Sequence, residues 1–417
     1  MPFIRSCARQ AGRDTRLDVF RGYALIVIFA AHVPFNALAV LSPSNFGFSD
    51  ATEIFVFCSG IAAALAYGST FDRHGALAGT MRVALRCWHL YWMHVCVLLS
   101  ALVLLILADA WLPGGGHYVS ESPLAPLLGA DAARHIVAAM TLGFLPSLFN
   151  ILPMYIAILA FVPLVMAVSR LGRSAVAIVV LALWLLGTTG TVSFHAEPGG
   201  HDTWFFNPLA WQLVFFIGFA FARGWLPAPR RDWRVAVVAA VVLVALAPLA
   251  FPPAVDHSAL LRVGNEALWP LVDKTHFRPL RLLHFLSLAY LVYFASGEGG
   301  RNVKGALAGV LALLGRQALA VFAAGILLSL ATGLLLDVVG RAPTLVVLAN
   351  ALSILTLFAV AATSEAFKNA PWTVRAAAKT SVPSVPLATA AATPSETGDR
   401  GLSEAIVLRA EANPAAV

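Results

Sequence analysis

Charged residues are scarce in this chain. They make up 12% of its 417 residues, against about one quarter in soluble domains, which excludes an ordinary soluble fold. Cysteine is scarce as well: the four stand at 7, 58, 87 and 96, three of them in or beside apolar runs and none in a long loop. That pattern argues against a disulfide framework and against cysteine-ligated metal. Nothing suggests a membrane β-barrel, whose segments would alternate with period two. No Walker, GxGxxG, HExxH or GxSxG motif is convincing, and no tandem repeat is visible. No Ala-x-Ala site separates the first apolar stretch from the second, so the first helix is expected to stay as an anchor.

What is present is apolar: 59% of the residues are hydrophobic. Runs such as 148–168, 235–251 and 344–363 approach or reach the roughly 20 residues that span a bilayer as helix. The expected fold is all-α, a polytopic bundle of about ten transmembrane helices near 19–41, 51–68, 84–110, 148–169, 174–193, 207–224, 234–252, 280–296, 316–336 and 343–364. The net charge is +7, which in such a chain belongs to topology before nucleic acid. With the N-terminus in the cytoplasm, the inner loops around 70–82, 170–173, 223–234 and 297–315 carry Arg73, Arg82, Arg170, Arg173, Arg223, Arg230, Arg231, Arg234, Arg301 and Lys304. The outer loops carry fewer cations: Arg134, Arg262, Lys274, Arg278 and Arg341. This asymmetry places both termini in the cytoplasm.

Three regions result: a basic arm over 1–17, a membrane domain over 18–366, and an Ala/Pro/Ser/Thr-rich tail over 367–417 read as disordered. The long outer segments 111–147 and 253–279 suit a lid or acceptor platform, the first with a re-entrant or interfacial helix in "ARHIVAAMTLGFLP". "GALAGVLALLGRQ" reads as a half-helix at the inner face.

The polar residues inside these apolar runs are the candidates for chemistry. In "RLDVFRGYALIVIFAAHVP", Arg21 and His32 are eleven residues apart, about three helical turns and about 16 Å, on one face. Arg21 as a snorkelling residue and His32 as a satisfied buried histidine are the bland alternatives, yet ionisable groups at mid-membrane usually face a pathway. Asp18 stands at the mouth of the same helix. In "FGFSDATEIFVFCSG", Asp50 and Glu53 have the spacing of a capping box, and Gly60 after Ser59 permits close helix packing; a carboxylate there could equally orient an imidazole. Arg82, Arg86 and His89 form a helical stripe whose guanidiniums suit phosphates or plain positive-inside anchoring. Asn207, Trp211 and Gln212 open one outer span, where Trp and amides can serve as belt residues or as a sugar-binding wall. Lys274, His276, Arg278, Arg281 and His284 lead into another.

Taken together, "LDVFRG" with the Arg-x10-His spacing, "FVFCSG" one span later and the arginine-rich start of the third span resemble the acyltransferase type 3 superfamily. "FGFSDATEIFVFCSG", "NPLAWQLVFFIG", "DKTHFRPLRLLHFLSLAY" and "LGRQALAVF" are similar to the OpgC family over roughly residues 14–365. The resemblance implies an inner-membrane enzyme that moves an acyl group, succinyl in the best-known members, from cytoplasmic acyl-CoA to hydroxyls of osmoregulated periplasmic glucans. The superfamily's essential Arg and His fall on Arg21 and His32, and the family's "DAAE" reads "DATE" here, keeping Asp50 and Glu53.

The expected mechanism is direct transfer across the membrane. Donor phosphates lie near Arg21, Arg82 and Arg86, with Ser59 on the donor's path. His32 is the general base, and Asp50 or Glu53 orients or charges it; an acyl-histidine intermediate is the variant. Asn207, Trp211, Gln212, Lys274, Arg281 and His284 are the expected acceptor wall. No tightly bound cofactor and no metal is expected; acyl-CoA is a substrate. The partners are the glucan, the bilayer and neighbouring glucan-synthesis proteins, with no nucleic acid. Two other classes fit a multispanning chain, a proton-coupled carrier of glycans or organic anions and a scaffold for glucan synthesis. Acyl transfer from acyl-CoA without a gradient separates the enzyme from the carrier.

Overall fold

A computed structural model describes residues 15–369 except 201. Residues 1–14 of the basic arm and 370–417 of the tail lie outside the described residues. Among those described, helices dominate and no β-strand forms beyond an isolated bridge between His195 and Thr203.

The helices in chain order are α1 (Thr15–His32), α2 (Ala51–Trp111), α3 (Ala132–Met140), α4 (Ile151–Ala160), α5 (Val162–Val168), α6 (Arg173–Thr188), α7 (Pro208–Arg223), α8 (Trp233–Ala250), α9 (Pro252–His257), α10 (Ala259–Val272), α11 (Pro279–Ala295), α12 (Ala306–Arg316), α13 (Ala318–Val339) and α14 (Pro343–Asn369). Five stretches are long and apolar enough to cross a membrane: α2, the α4–α5 pair, α8, α13 and α14. Valines 235, 237, 238, 241 and 244 on α8 and Leu348, Leu352 and Leu355 on α14 are exposed, an apolar outer surface of the kind lipid covers. This is an all-helical membrane protein.

The loop expected over 70–82 is helical, and its turn is compressed into one residue. As a single rod α2 would run about 90 Å, three times the hydrocarbon thickness, but Gly75 breaks it at φ 81°, ψ 179°, a backbone that only glycine adopts cheaply. Arg82 Nη1 donates to Thr70 Oγ1 at 2.6 Å. Twelve residues along a continuous helix would separate them by about 18 Å, so the chain doubles back at Gly75 and α2 is two arms. The first expected span, 19–41, also ends early. α1 stops at His32, because Val33 precedes Pro34 and a residue before proline is pushed out of helical geometry.

The segment after α1 is then tied down. Asn36 and Asn350 exchange amide hydrogen bonds of 3.0 and 3.1 Å, and Arg341 donates to the Pro34 carbonyl at 2.9 Å. Two short 3-10 turns, Ala37–Leu41 and Pro43–Asn45, lead to Asp50.

Small residues set the helix spacing around this point. A Cβ on Gly60 would lie 1.9 Å from the Phe215 carbonyl oxygen, and one on Gly218 would lie 2.3 Å from that of Phe57, so α2 and α7 touch backbone to backbone. The same holds between α1 and α12, where Gly22 abuts the Leu311 carbonyl and Gly315 that of Asp18. Such contacts are how helices associate where no water drives them together. The expected half-helix is therefore α12, packed on α1. The helix expected in 111–147 is α3, and 253–279, for which no helix was expected, holds most of α9 and all of α10.

Candidate functional site

The early end of α1 opens a cavity of about 1120 Å³ at its C-terminus. His32, Asp50, Lys274 and Arg281 all line it. Two stretches more than two hundred residues apart in the chain thus converge: the end of α1 with the N-terminus of α2, and the loop before α11 with α11 itself.

Capping chemistry positions the two carboxylates. Asp50 Oδ1 accepts the Thr52 N–H at 2.7 Å, and Glu53 Oε2 accepts the Asp50 N–H at 2.8 Å, a complete capping box. Each carboxylate also meets a cation. Lys274 Nζ contacts Asp50 Oδ2 at 2.5 Å, and Arg281 Nη1 contacts Glu53 Oε1 at 2.6 Å. The cap and the charge partner are therefore the same residue in both cases. Glu53 is fully buried, which such a group tolerates only with a hydrogen-bonded opposite charge.

His32 is oriented differently from expectation. Its Nδ1 sits 2.7 Å from the Ile28 carbonyl oxygen. A carbonyl only accepts, so Nδ1 carries the proton, and in the neutral ring Nε2 is the nitrogen left with the lone pair. Neither Asp50 nor Glu53 holds the imidazole: both are committed to their cations, and the backbone one turn earlier does the orienting.

Lys274 lies on a tightly held loop. Asp273 accepts hydrogen bonds from the Thr275 and His276 N–H groups at 3.2 and 3.1 Å, and its Oδ2 is 2.6 Å from His276 Nδ1. Burial pushes the Asp273 carboxyl up, but these hydrogen bonds outweigh it and hold the group below its ordinary range. Trp211 Nε1 donates to the Lys274 carbonyl at 2.9 Å, Trp184 Nε1 to that of Phe277 at 3.1 Å, and the Asn207 N–H to that of Thr275 at 3.2 Å.

The expected acceptor wall thus divides. Lys274 and Arg281 face the cavity, whereas Asn207, Trp211 and Gln212 are buried behind it. Asn207 caps α7 through Leu209 N–H at 3.0 Å, and Gln212 donates to the Val180 carbonyl at 2.8 Å. Proline at the first position of α7 and the need of a helix start for a capping acceptor explain the Asn-Pro pair. His284 is also buried, with Nδ1 2.7 Å from Ser49 Oγ.

Arg21 sits below the cavity. Val27, Ile28 and Ala31 line the cavity, so it reaches down α1 to Val27, about 9 Å above Arg21. Arg21 Nη2 donates to Ser59 Oγ at 3.2 Å, while Nε is buried and has no partner among the described residues. Tyr155 lies beside Ser59 in the field of Arg21 and Arg86. Arg82 is exposed, its guanidinium 6.0 Å from the centre of the Tyr67 ring. Asp18 is buried against α12 and does not line the cavity.

Sequence reasoning missed Tyr155, and it missed Glu197 and Asp202, which line the cavity from the loop between α6 and α7. Two acidic residues in the one loop between α6 and α7 were the available signal. Tyr155 gave none, since a tyrosine within an apolar run reads as packing. Among the described residues, no group of three or more His, Cys, Asp or Glu could hold a metal ion.

No curated protein and no solved structure matches the chain. The family model described as OpgC protein matches residues 13–369, which span every helix of the site; the chain belongs to the OpgC family, and that membership implies a transferase activity.

Proposed function

We propose that this protein is a multi-pass inner-membrane O-acyltransferase, with about ten spans and both termini cytoplasmic, that moves an acyl group from cytoplasmic acyl-CoA to hydroxyls of a periplasmic glucan. The observation that carries the reading is the His32 imidazole. Its Nδ1 is committed to the Ile28 carbonyl, and the residue lines a cavity walled by two ion pairs.

The chemistry follows from that tautomer. A glucan hydroxyl presented to Nε2 gives up its proton as its oxygen attacks the thioester carbonyl carbon. The carbon–sulfur bond breaks, the ester bond forms, and the imidazolium returns the proton to the departing thiolate. A positioned base of this kind contributes roughly two to four orders of magnitude. Lys274 and Arg281 lie where negative charge develops on the carbonyl oxygen, and preorganised donors act most strongly away from water. Arg21, with its unpartnered Nε, and Arg86 receive the donor's phosphates below the cavity, with Arg82 at the entrance, Ser59 and Tyr155 beside them.

The test is His32→Ala and His32→Gln in purified, folded protein supplied with succinyl-CoA and periplasmic glucan. Both variants are expected to lose transfer by about 10²–10⁴-fold. Wild-type transfer by either would remove His32 as the base.

A further inference from the structure

A second cavity of about 310 Å³ adjoins the first, and Ser44 and Arg281 line both. Its size is at the small end of ligand pockets, which run from roughly 300 to 1,000 Å³.

The partition between the two is the segment before Asp50, and it is firmly set. Phe46 stacks on Phe251 with ring centres 5.6 Å apart and planes at 16°. Gly47 presses on the His284 ring so closely that a Cβ would lie 2.3 Å from Nε2, and the same ring holds Ser49 through Nδ1. His284 is therefore a positioning residue for this wall.

The lining chemistry selects a ligand class. Trp269, 62% exposed, offers an aromatic face from α10. One turn earlier Asn265 donates Nδ2 to the Leu249 carbonyl at 2.7 Å, which fixes the amide and leaves Oδ1 as an acceptor. Asp256 supplies a carboxylate. Arg281 uses Nη1 on Glu53 and Nε on the Val272 carbonyl, and Nη2 has no partner among the described residues. One aromatic platform, two acceptors, one donor and little net charge match a neutral polyhydroxylated ring, with its C–H face on the indole and its hydroxyls on the polar groups. A phosphate or a lone carboxylate would find a single cation, already neutralised by Glu53.

Resting on the acyl-transfer reading, we propose that this second cavity is an acceptor subsite. It binds the sugar unit next to the one being acylated, so the protein selects an oligosaccharide over a single sugar.

The experiment compares wild type, Trp269→Ala and Trp269→Phe with two acceptors, methyl glucoside and purified periplasmic glucan, alongside equilibrium binding of the glucan without donor. Trp269→Ala is expected to lower kcat/KM and binding for the glucan about three- to tenfold, leave methyl glucoside unchanged, and be largely rescued by phenylalanine. Equal losses on both acceptors, or no change on either, as a purely lipid-facing tryptophan would give, overturn the subsite. If glucan binding depends on Trp269 while no acyl transfer occurs with any acceptor, the subsite stands and the acyl-transfer reading fails.

Discussion

Burial and partner geometry decide the role of each polar residue in the cavity. Asp50 and Glu53 read in the sequence as caps or as partners of an imidazole. They are caps that also neutralise Lys274 and Arg281, because the capping box leaves one carboxylate oxygen of each facing α11 and its preceding loop. That second partner, more than two hundred residues away, could not be read from local spacing. The alignment of Arg21 and His32 on one face could, since helix periodicity alone sets it. Trp211 shows the opposite case: its indole suggested a sugar platform, yet it is fully buried and braces the Lys274 loop. Removing the charge at Glu53 leaves Arg281 uncompensated. Glu53→Gln should cost stability at the lower end of about 3–5 kcal/mol, because Arg281 still touches the cavity and its solvent. Thermal unfolding in detergent measures it, and an unchanged Tm would show that the pair contributes nothing.

Helices were legible as apolar runs, and their ends much less so. The reversal at Gly75 hid because its flanks are good helix formers, so a loop was expected where one residue suffices. The stop at His32 was written in Val33-Pro34, a weak signal inside a long apolar stretch. Close helix contact at Gly60 was readable from its small neighbours, and it gives a paired prediction. Gly60→Ala should sharply reduce thermal stability and folded yield, since its Cβ meets a backbone oxygen at 1.9 Å, whereas at Gly309 of α12 an added Cβ meets nothing within 4 Å. Gly309→Ala should be neutral or stabilising by up to about 1 kcal/mol; similar losses at both sites would contradict the packing. The loop before α11 adds a pH dependence. The Asp273 carboxyl is held low in the folded protein, so its contribution is present above the unfolded value of about 3.9 and is lost as pH falls through the folded value. Limited proteolysis should therefore cut the 273–278 segment faster below about pH 4 in wild type, and at neutral pH already in Asp273→Ala. Equal protection across that range would rule the anchor out.

At the scale of the molecule, the arrangement along α1 carries the account. A polar cluster of Arg21, Ser59, Tyr155 and Arg86 lies at one end, and a cavity with His32 begins about 9 Å further along the helix. The two long segments contribute directly to that cavity: Ser122 and Phe144 line it from 111–147, and Lys274 from 253–279. On the proposed reading, with His32 as the reaction centre and Arg21 at the donor site, this separation fits transfer across a bilayer better than a carrier, which would have to expose one site to both faces in turn. The direct measurement uses purified protein in sealed vesicles, with succinyl-CoA on the side of Arg21, periplasmic glucan on the side of His32, and no ion or pH gradient. The account predicts succinylated glucan with one free CoA released per ester, and no ester when the two substrates exchange sides. Transport of either substrate without ester formation, or equal product from both arrangements, would contradict it.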